Sequence, residues 1–218
     1  DIVTIDDVTD RLTVYGEADS DTITVNGNSL GSNTVLYGDG GSDVFNIRDI
    51  SADTTVNGGD GSDTVNVGSN SLGTPGAPSS NSGGNVNAIN GKLTVYGNGS
   101  DTGTGDVLNI DDTGDESVNT GALTSTGITG LGMAGSITYG TLEELNVSLG
   151  SGGDSFTVSN THGSATGGFE ETTTLRSGGG NDIVTIDDVT DRLTVYGEED
   201  SDTITVNGNS LGSNTILY

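Results

Sequence analysis

The chain has 218 residues, 32 acidic and only 5 basic, with a formal net charge of −27 and no cysteine or tryptophan. That charge repels nucleic acid and anionic lipid. The lack of cysteine excludes a disulfide framework, and no apolar run reaches the roughly 18 residues that would span a membrane. Val, Leu, Ile and Phe together make 50 residues, just above the level of about 20% at which a highly charged chain stays disordered. A thick core is therefore excluded, and a thin one repeated along an axis remains.

In chain order, short alternating segments recur about every ten residues: IVTI (2–5), LTVY (12–15), TITV (22–25), VLY (35–37), VFNI (44–47), TTVN (54–57) and TVNV (64–67). Each is rich in β-branched residues and bounded by Gly, Asn, Asp or Ser, which predicts strands. Two kinds alternate. One follows an aspartate, as after Asp1, Asp21, Asp43, Asp63, Asp106, Asp154, Asp182 and Asp202; the other usually precedes a glycine, as in LTVYG (12–16, 93–97 and 193–197). The spacing Asp1–Asp21–Asp43–Asp63 makes each pair 20–22 residues long. This predicts an all-β fold, a parallel β-solenoid of β-roll or β-helix type with two short strands per turn. Val3, Ile5, Leu12, Val14, Ile23, Val25, Phe45, Ile47, Val65 and Val67 are expected inside. Thr4, Thr13, Thr24, Asn46 and Asn66 are expected to face water.

A longer repeat contains the short one. Residues 1–37 match 182–218 at 35 of 37 positions, differing only at Ala18/Glu199 and Val35/Ile216. We expect one continuous solenoid over 1–218, with 1–181 a full long repeat of about seven turns and 182–218 the start of the next. Both ends fall mid-pattern, as in a piece of a longer array.

The turns that lead into the Asp-led strands are GEADSD (16–21), GDGGSD (38–43), GGDGSD (58–63), GSGGD (150–154), SGGGND (177–182) and GEEDSD (197–202). These resemble the RTX, or haemolysin-type, calcium-binding nonapeptide G-G-x-G-x-D-x-U-x, where U is a large apolar residue. Residues 58–66, GGDGSDTVN, fit every position. The resemblance implies calcium held by the carboxylates of Asp43, Asp63, Asp154 and Asp182, and of Asp21, Asp106 and Asp202. It implies further ligation from turn positions such as Asp19, Asp39, Gly59, Asp60 and Gly61. Only one half-turn carries the motif, so at most one column of ions is expected, and Asp19 stands where the motif has glycine. The alternative is that Asp and Asn satisfy turn amides without metal. Stacking favours cations: carboxylates about 4.8 Å apart repel by about 1 kcal/mol in water and about 3–4 kcal/mol at an effective dielectric near 20.

Three segments, 68–91, 111–135 and 159–172, interrupt the rhythm, each after an Asp-led strand. They are expected as loop insertions on the one edge opposite the Gly-Asp turns, either as solvated decoration or as a binding edge. The stretch 137–154 is expected to hold an extra strand whose place the pattern leaves open. Tyr15, Tyr37, Tyr96, Tyr139, Tyr196 and Tyr218 share one position in the pattern and are expected to point outward, as a stacked ladder or a carbohydrate-contacting strip. The Thr/Asn rows invite comparison with ice-binding arrays, though their alternation is irregular. His162 is the only histidine and has no nucleophile at a defined spacing, so no enzyme is expected.

The resemblance implies a secreted or cell-surface bacterial protein of very large size. There the repeats act as a calcium-stabilised stalk whose partners are neighbouring repeats of the same chain. The rival expectation is an adhesin module that holds a glycan or a partner cell surface. Neither involves nucleic acid or membrane insertion.

Overall fold

Runs of four or five residues rich in Val, Ile and Thr, closed by turn-forming residues, leave room for short strands and little else. The computed structural model describes residues 1–29, 31, 33–75, 82–98, 105–163, 171–208 and 215–218. Among these the chain forms strands and no helix.

Through its first nine strands the chain alternates between two sheets. These are β1 (Ile2–Ile5), β2 (Leu12–Tyr15), β3 (Thr22–Val25), β4 (Thr34–Gly40), β5 (Val44–Ile47), β6 (Thr54–Asp60), β7 (Thr64–Val67), β8 (Lys92–Tyr96) and β9 (Val107–Asp111). Three strands then lie side by side in the second sheet: β10 (Thr120–Thr124), β11 (Gly127–Gly130) and β12 (Ser136–Gly140). Alternation resumes with β13 (Glu144–Ser148), β14 (Ser155–Val158), β15 (Thr172–Arg176), β16 (Ile183–Ile186), β17 (Arg192–Tyr196), β18 (Thr203–Val206) and β19 (Thr215–Leu217). The first sheet has the order β1-β3-β5-β7-β9-β13-β15-β17-β19 and is parallel throughout. The second has the order β18-β16-β14-β10-β11-β12-β8-β6-β4-β2, and only β11 runs against its neighbours.

Register carries the pattern from strand to strand. Ile23, Phe45, Val65, Leu108 and Leu145 form one inward row of the first sheet, and they pack in a single cluster with Leu36, Val56, Leu93 and Ile137 of the second. Ile5, Val25, Ile47 and Val67 are buried as expected, while Val3, Leu12 and Val14 are only partly covered.

The structure changes five expectations. Asn46 and Asn66 face outward but are buried, because the insertion after β7 lies across that face: Asn46 Nδ2 donates to the Gly73 carbonyl (3.1 Å) and Arg48 Nε to that of Ser71 (2.8 Å). Segment 111–135 is not a loop; its apolar residues Leu123, Ile128 and Leu131 are buried in the β10–β12 meander. The strands flanking insertion 68–91 lead from the first sheet to the second, and those flanking 159–172 from the second to the first, with 76–81 and 164–170 outside the described residues. In a parallel sheet these connections lie at opposite strand ends, so the insertions do not share an edge. Tyr139 is buried, since the run ITYG from Ile137 is one residue shorter than LTVYG from its partner Leu93 and sets Tyr139 opposite Val95 rather than Tyr96. Finally, among the described residues the long repeat makes thirteen visits to the sheets, counting β10–β12 as one. That is six and a half pairs rather than seven.

The outward asparagines form a ladder. Asn46 donates to Thr24 Oγ1 (3.4 Å), Asn66 to Asn46 (3.2 Å), Asn109 to Asn66 (2.9 Å) and Asn146 to Asn109 (2.9 Å). Asn66→Ala removes two of these bonds inside a covered face. Leaving buried partners unsatisfied costs about 2 kcal/mol, which at this chain length lowers Tm by roughly 4–8 °C; thermal denaturation followed by circular dichroism measures it.

Candidate functional site at the Gly-Asp turns

Apart from β1, whose Asp1 is exposed, each Asp-led strand begins with a carboxylate turned inward, and the parallel stacking brings these groups into line. Asp43 Oδ1 accepts the Asp21 amide (2.7 Å), Asp63 that of Asp43 (2.8 Å), and Asp106 that of Asp63 (2.8 Å). Glu143 Oε2 closes the series by accepting the Asp106 amide (2.6 Å), and the chain's first amino group reaches Asp21. A second column repeats the arrangement: Asp154 accepts from Asn119 (2.7 Å), Asp182 from Asp154 (2.7 Å) and Asp202 from Asp182 (3.0 Å). The first column lies where the second sheet hands the chain to the first, and the second column where the first hands it to the second. There are thus two columns on opposite edges, where the motif spacing led to one. Glu143 was missed because a glutamate one methylene longer stands in the aspartate's place.

These carboxylates are buried, apart from the half-buried Asp202. The Oδ2 atoms of Asp21 and Asp43 accept no hydrogen bond. Burial raises the pKa of Asp43, Asp154 and Asp182. In the first column Oδ2 faces a glycine five residues earlier, or nine in the case of Gly97: a methyl on Gly16, Gly38, Gly58 or Gly97 would fall within 2.6 Å of Oδ2 of Asp21, Asp43, Asp63 or Asp106. The glycine is there to clear room for the carboxylate and for the next turn's carbonyl.

The remaining acids sit at the turn tips. Asp19, Asp39 and Asp60 are exposed. Asp19 and Asp60 line an open groove with Ser20, Ser42, Gly41 and Gly61. Asp19 (φ 73°) and Asp39 (φ 68°) take the left-handed conformation that Gly59 (115°) and Gly61 (127°) take elsewhere, which aspartate tolerates better than most residues. Calcium needs six to eight oxygens. Among the described residues no three acidic or histidine side chains converge on one point. Each inner carboxylate gives one oxygen to the amide ladder, and Oδ2 of Asp21 and Asp43 is left without a hydrogen bond; the groove adds the oxygens of Asp19, Asp60, the two serine hydroxyls and the turn carbonyls. The donor set is all oxygen and acidic, and it suits a hard, partly hydrated divalent cation.

Two further buried groups lie elsewhere. Asp112 accepts the Val86 amide (3.0 Å); burial, then the charges of Asp115, Asp154 and Asp111, push its carboxyl up to about 7. His162 Nδ1 lies 3.0 Å from Thr173 Oγ1, and its ring meets Tyr139 edge-on with centroids 6.2 Å apart. Burial lowers its pKa, so the ring is neutral at pH 7 and serves to satisfy the inward Thr173.

Comparison with known proteins adds no assignment: no family model, no curated protein and no solved structure matches the chain.

Two predictions follow from this geometry. Gly38→Ala puts a methyl 2.2 Å from Asp43 Oδ2 and 2.4 Å from the Gly58 carbonyl, whereas at Gly40 the nearest atom is 3.7 Å away. The first substitution therefore destabilises by roughly 1–3 kcal/mol and the second is tolerated, as paired melting curves will show. Carboxyls raised above their unfolded pKa stabilise the fold below the unfolded value, and this is lost as pH rises through the folded one. For Asp112 the window runs from 3.8 to about 7. In EDTA, Tm is expected to fall across it, and Asp112→Asn to raise Tm at pH 8 and flatten that slope.

Proposed function

We propose that this chain is a β-solenoid segment of a giant extracellular bacterial protein, whose repeats stack into a calcium-stabilised stalk. The observation that carries the reading is the near-identity of 1–37 and 182–218, together with the register by which each two-strand unit stacks on the next. A unit whose two faces both fit its neighbours serves as length. Site chemistry points the same way: Thr173 Oγ1 and His162 Nδ1 meet within the buried interior, and the inner acids each give an oxygen to the backbone. The role is structural rather than catalytic.

Calcium enters through the turn edge. Twenty-seven net negative charges on a slender fold repel one another, and the groove at Asp19 and Asp60 offers the oxygens for a divalent ion. Binding to the folded state alone stabilises it in proportion to the logarithm of ion concentration. The RTX resemblance supports export in an unfolded state and folding in extracellular calcium.

A second reading rests on the tyrosines. Tyr15 stacks on Tyr37 (5.0 Å, 5° apart) and Tyr196 on Tyr218 (4.9 Å), with the Arg176 guanidinium 4.4 Å from the Tyr196 ring centre. Tyr15 is 61% exposed. Such a platform suits a sugar ring, as in an adhesin module.

Thermal melts in EDTA and in millimolar calcium decide the cation reading. A Tm rise of about 10 °C or more with calcium, abolished by Asp19→Asn/Asp60→Asn and not reproduced by equal ionic strength of sodium, is expected. Identical melts in both conditions would leave an amide-ladder fold that needs no metal. Binding to a glycan array, lost in Tyr15→Ala, is the result that the adhesin reading requires.

A further inference from the structure

The two copies of the repeated segment are not placed alike. IVTI at 2–5 is β1 of the first sheet, and the same letters at 183–186 are β16 of the second. The pairs β2/β17, β3/β18 and β4/β19 are exchanged in the same way. Identical residues thus build opposite walls, so neither wall imposes side chains the other cannot take.

The cause lies in β13, which plays both strand roles at once. It is entered as an Asp-led strand: Glu143 caps the Asp106 amide, and Leu145 and Val147 stand opposite Leu108 and Ile110 of β9. It is left as a Gly-terminated strand, through Gly150 and Asp154 into β14. One strand doing both jobs adds a half-unit. The meander lets the second sheet absorb the shift, because β10 offers β14 a parallel partner and β12 offers one to β8.

We propose that every long repeat reverses the sheet phase of the next, so that the structural period is two sequence repeats. The Gly-Asp edge, which a divalent cation would read, then faces opposite sides of the stalk in successive copies. This rests on the array reading above. It gives a stalk of identical units two equivalent edges, so cations or neighbouring stalks engage it from both sides.

The chain has no cysteine, so introduced pairs report directly. Ala122 and Thr157 are direct partners across β10–β14, within the disulfide Cα range of about 4.4–6.8 Å. Without the phase switch, Thr157 of the Asp-led β14 would instead oppose Asn109 of the Asp-led β9. Ala122→Cys/Thr157→Cys is expected to oxidise at least tenfold faster than Asn109→Cys/Thr157→Cys. Faster oxidation of the second pair, or of neither, overturns the proposal. A second readout avoids the sheets: Ala18→Cys and Glu199→Cys are exposed, equivalent turn positions in the two copies. Streptavidin on both biotinylated sites is expected on opposite flanks by electron microscopy, and the same flank overturns the proposal. Neither readout depends on calcium, so its failure is distinguishable from failure of the cation reading.

Discussion

The carboxylate-to-amide ladder is the constraint on which the rest of the structure depends. A turn entering a parallel strand leaves an amide that the strand ladder does not satisfy, and burying it unpaired is costly. The inward aspartate of the adjoining turn accepts it. This bond works only if turns stack in register, whether 20 residues separate them, as from Asp43 to Asp63, or 43, as from Asp63 to Asp106. In the first column the residue facing Oδ2 has no side chain, which accounts for Gly16, Gly38, Gly58 and Gly97, whereas in the second column the Ser177 hydroxyl hydrogen-bonds the Asp182 carboxylate. The same arrangement lines up like charges, and burial raises their pKa, so the interaction that specifies the stack also limits its stability at neutral pH.

A thin core leaves little hydrophobic stabilisation per residue, and the chain compensates with lateral ladders on its outer faces. The asparagine row from Thr24 to Asn146 and the stacked tyrosines run along the stacking direction, as the carboxylates do. Like residues stacked at strand spacing reinforce one another. The insertion after β7 extends this logic by covering the asparagine row and converting solvated amides into a buried network.

The phase switch follows from the same ladder. Glu143 keeps the first column satisfied for one more strand, while Asn119 opens the second column on the other edge by donating its amide to Asp154. Asp111, Asp112 and Asp115 lie beside that opening, close to Asp154, the first carboxylate of the second column. The crowding of acids there is a consequence of changing edges within a fold that needs one inward carboxylate per turn.

Outside segment 111–135, local pattern alone determined the regular strands, the two kinds of strand, the inward rows and the twenty-residue unit, because period-2 alternation and Gly-Asp turns are properties of a few adjacent residues. It also singled out the inward aspartates and offered turn amides as one partner for them; the stacking decided that Oδ1 takes the amide of the adjoining turn. Tertiary structure decided the rest. Whether Asn46 is wet or covered depends on a segment more than twenty residues away. Tyr139 points inward because of a one-residue difference in register against β8. Which sheet a strand joins depends on the parity of all the strands before it, and parity is a property of the whole repeat that no window of sequence contains.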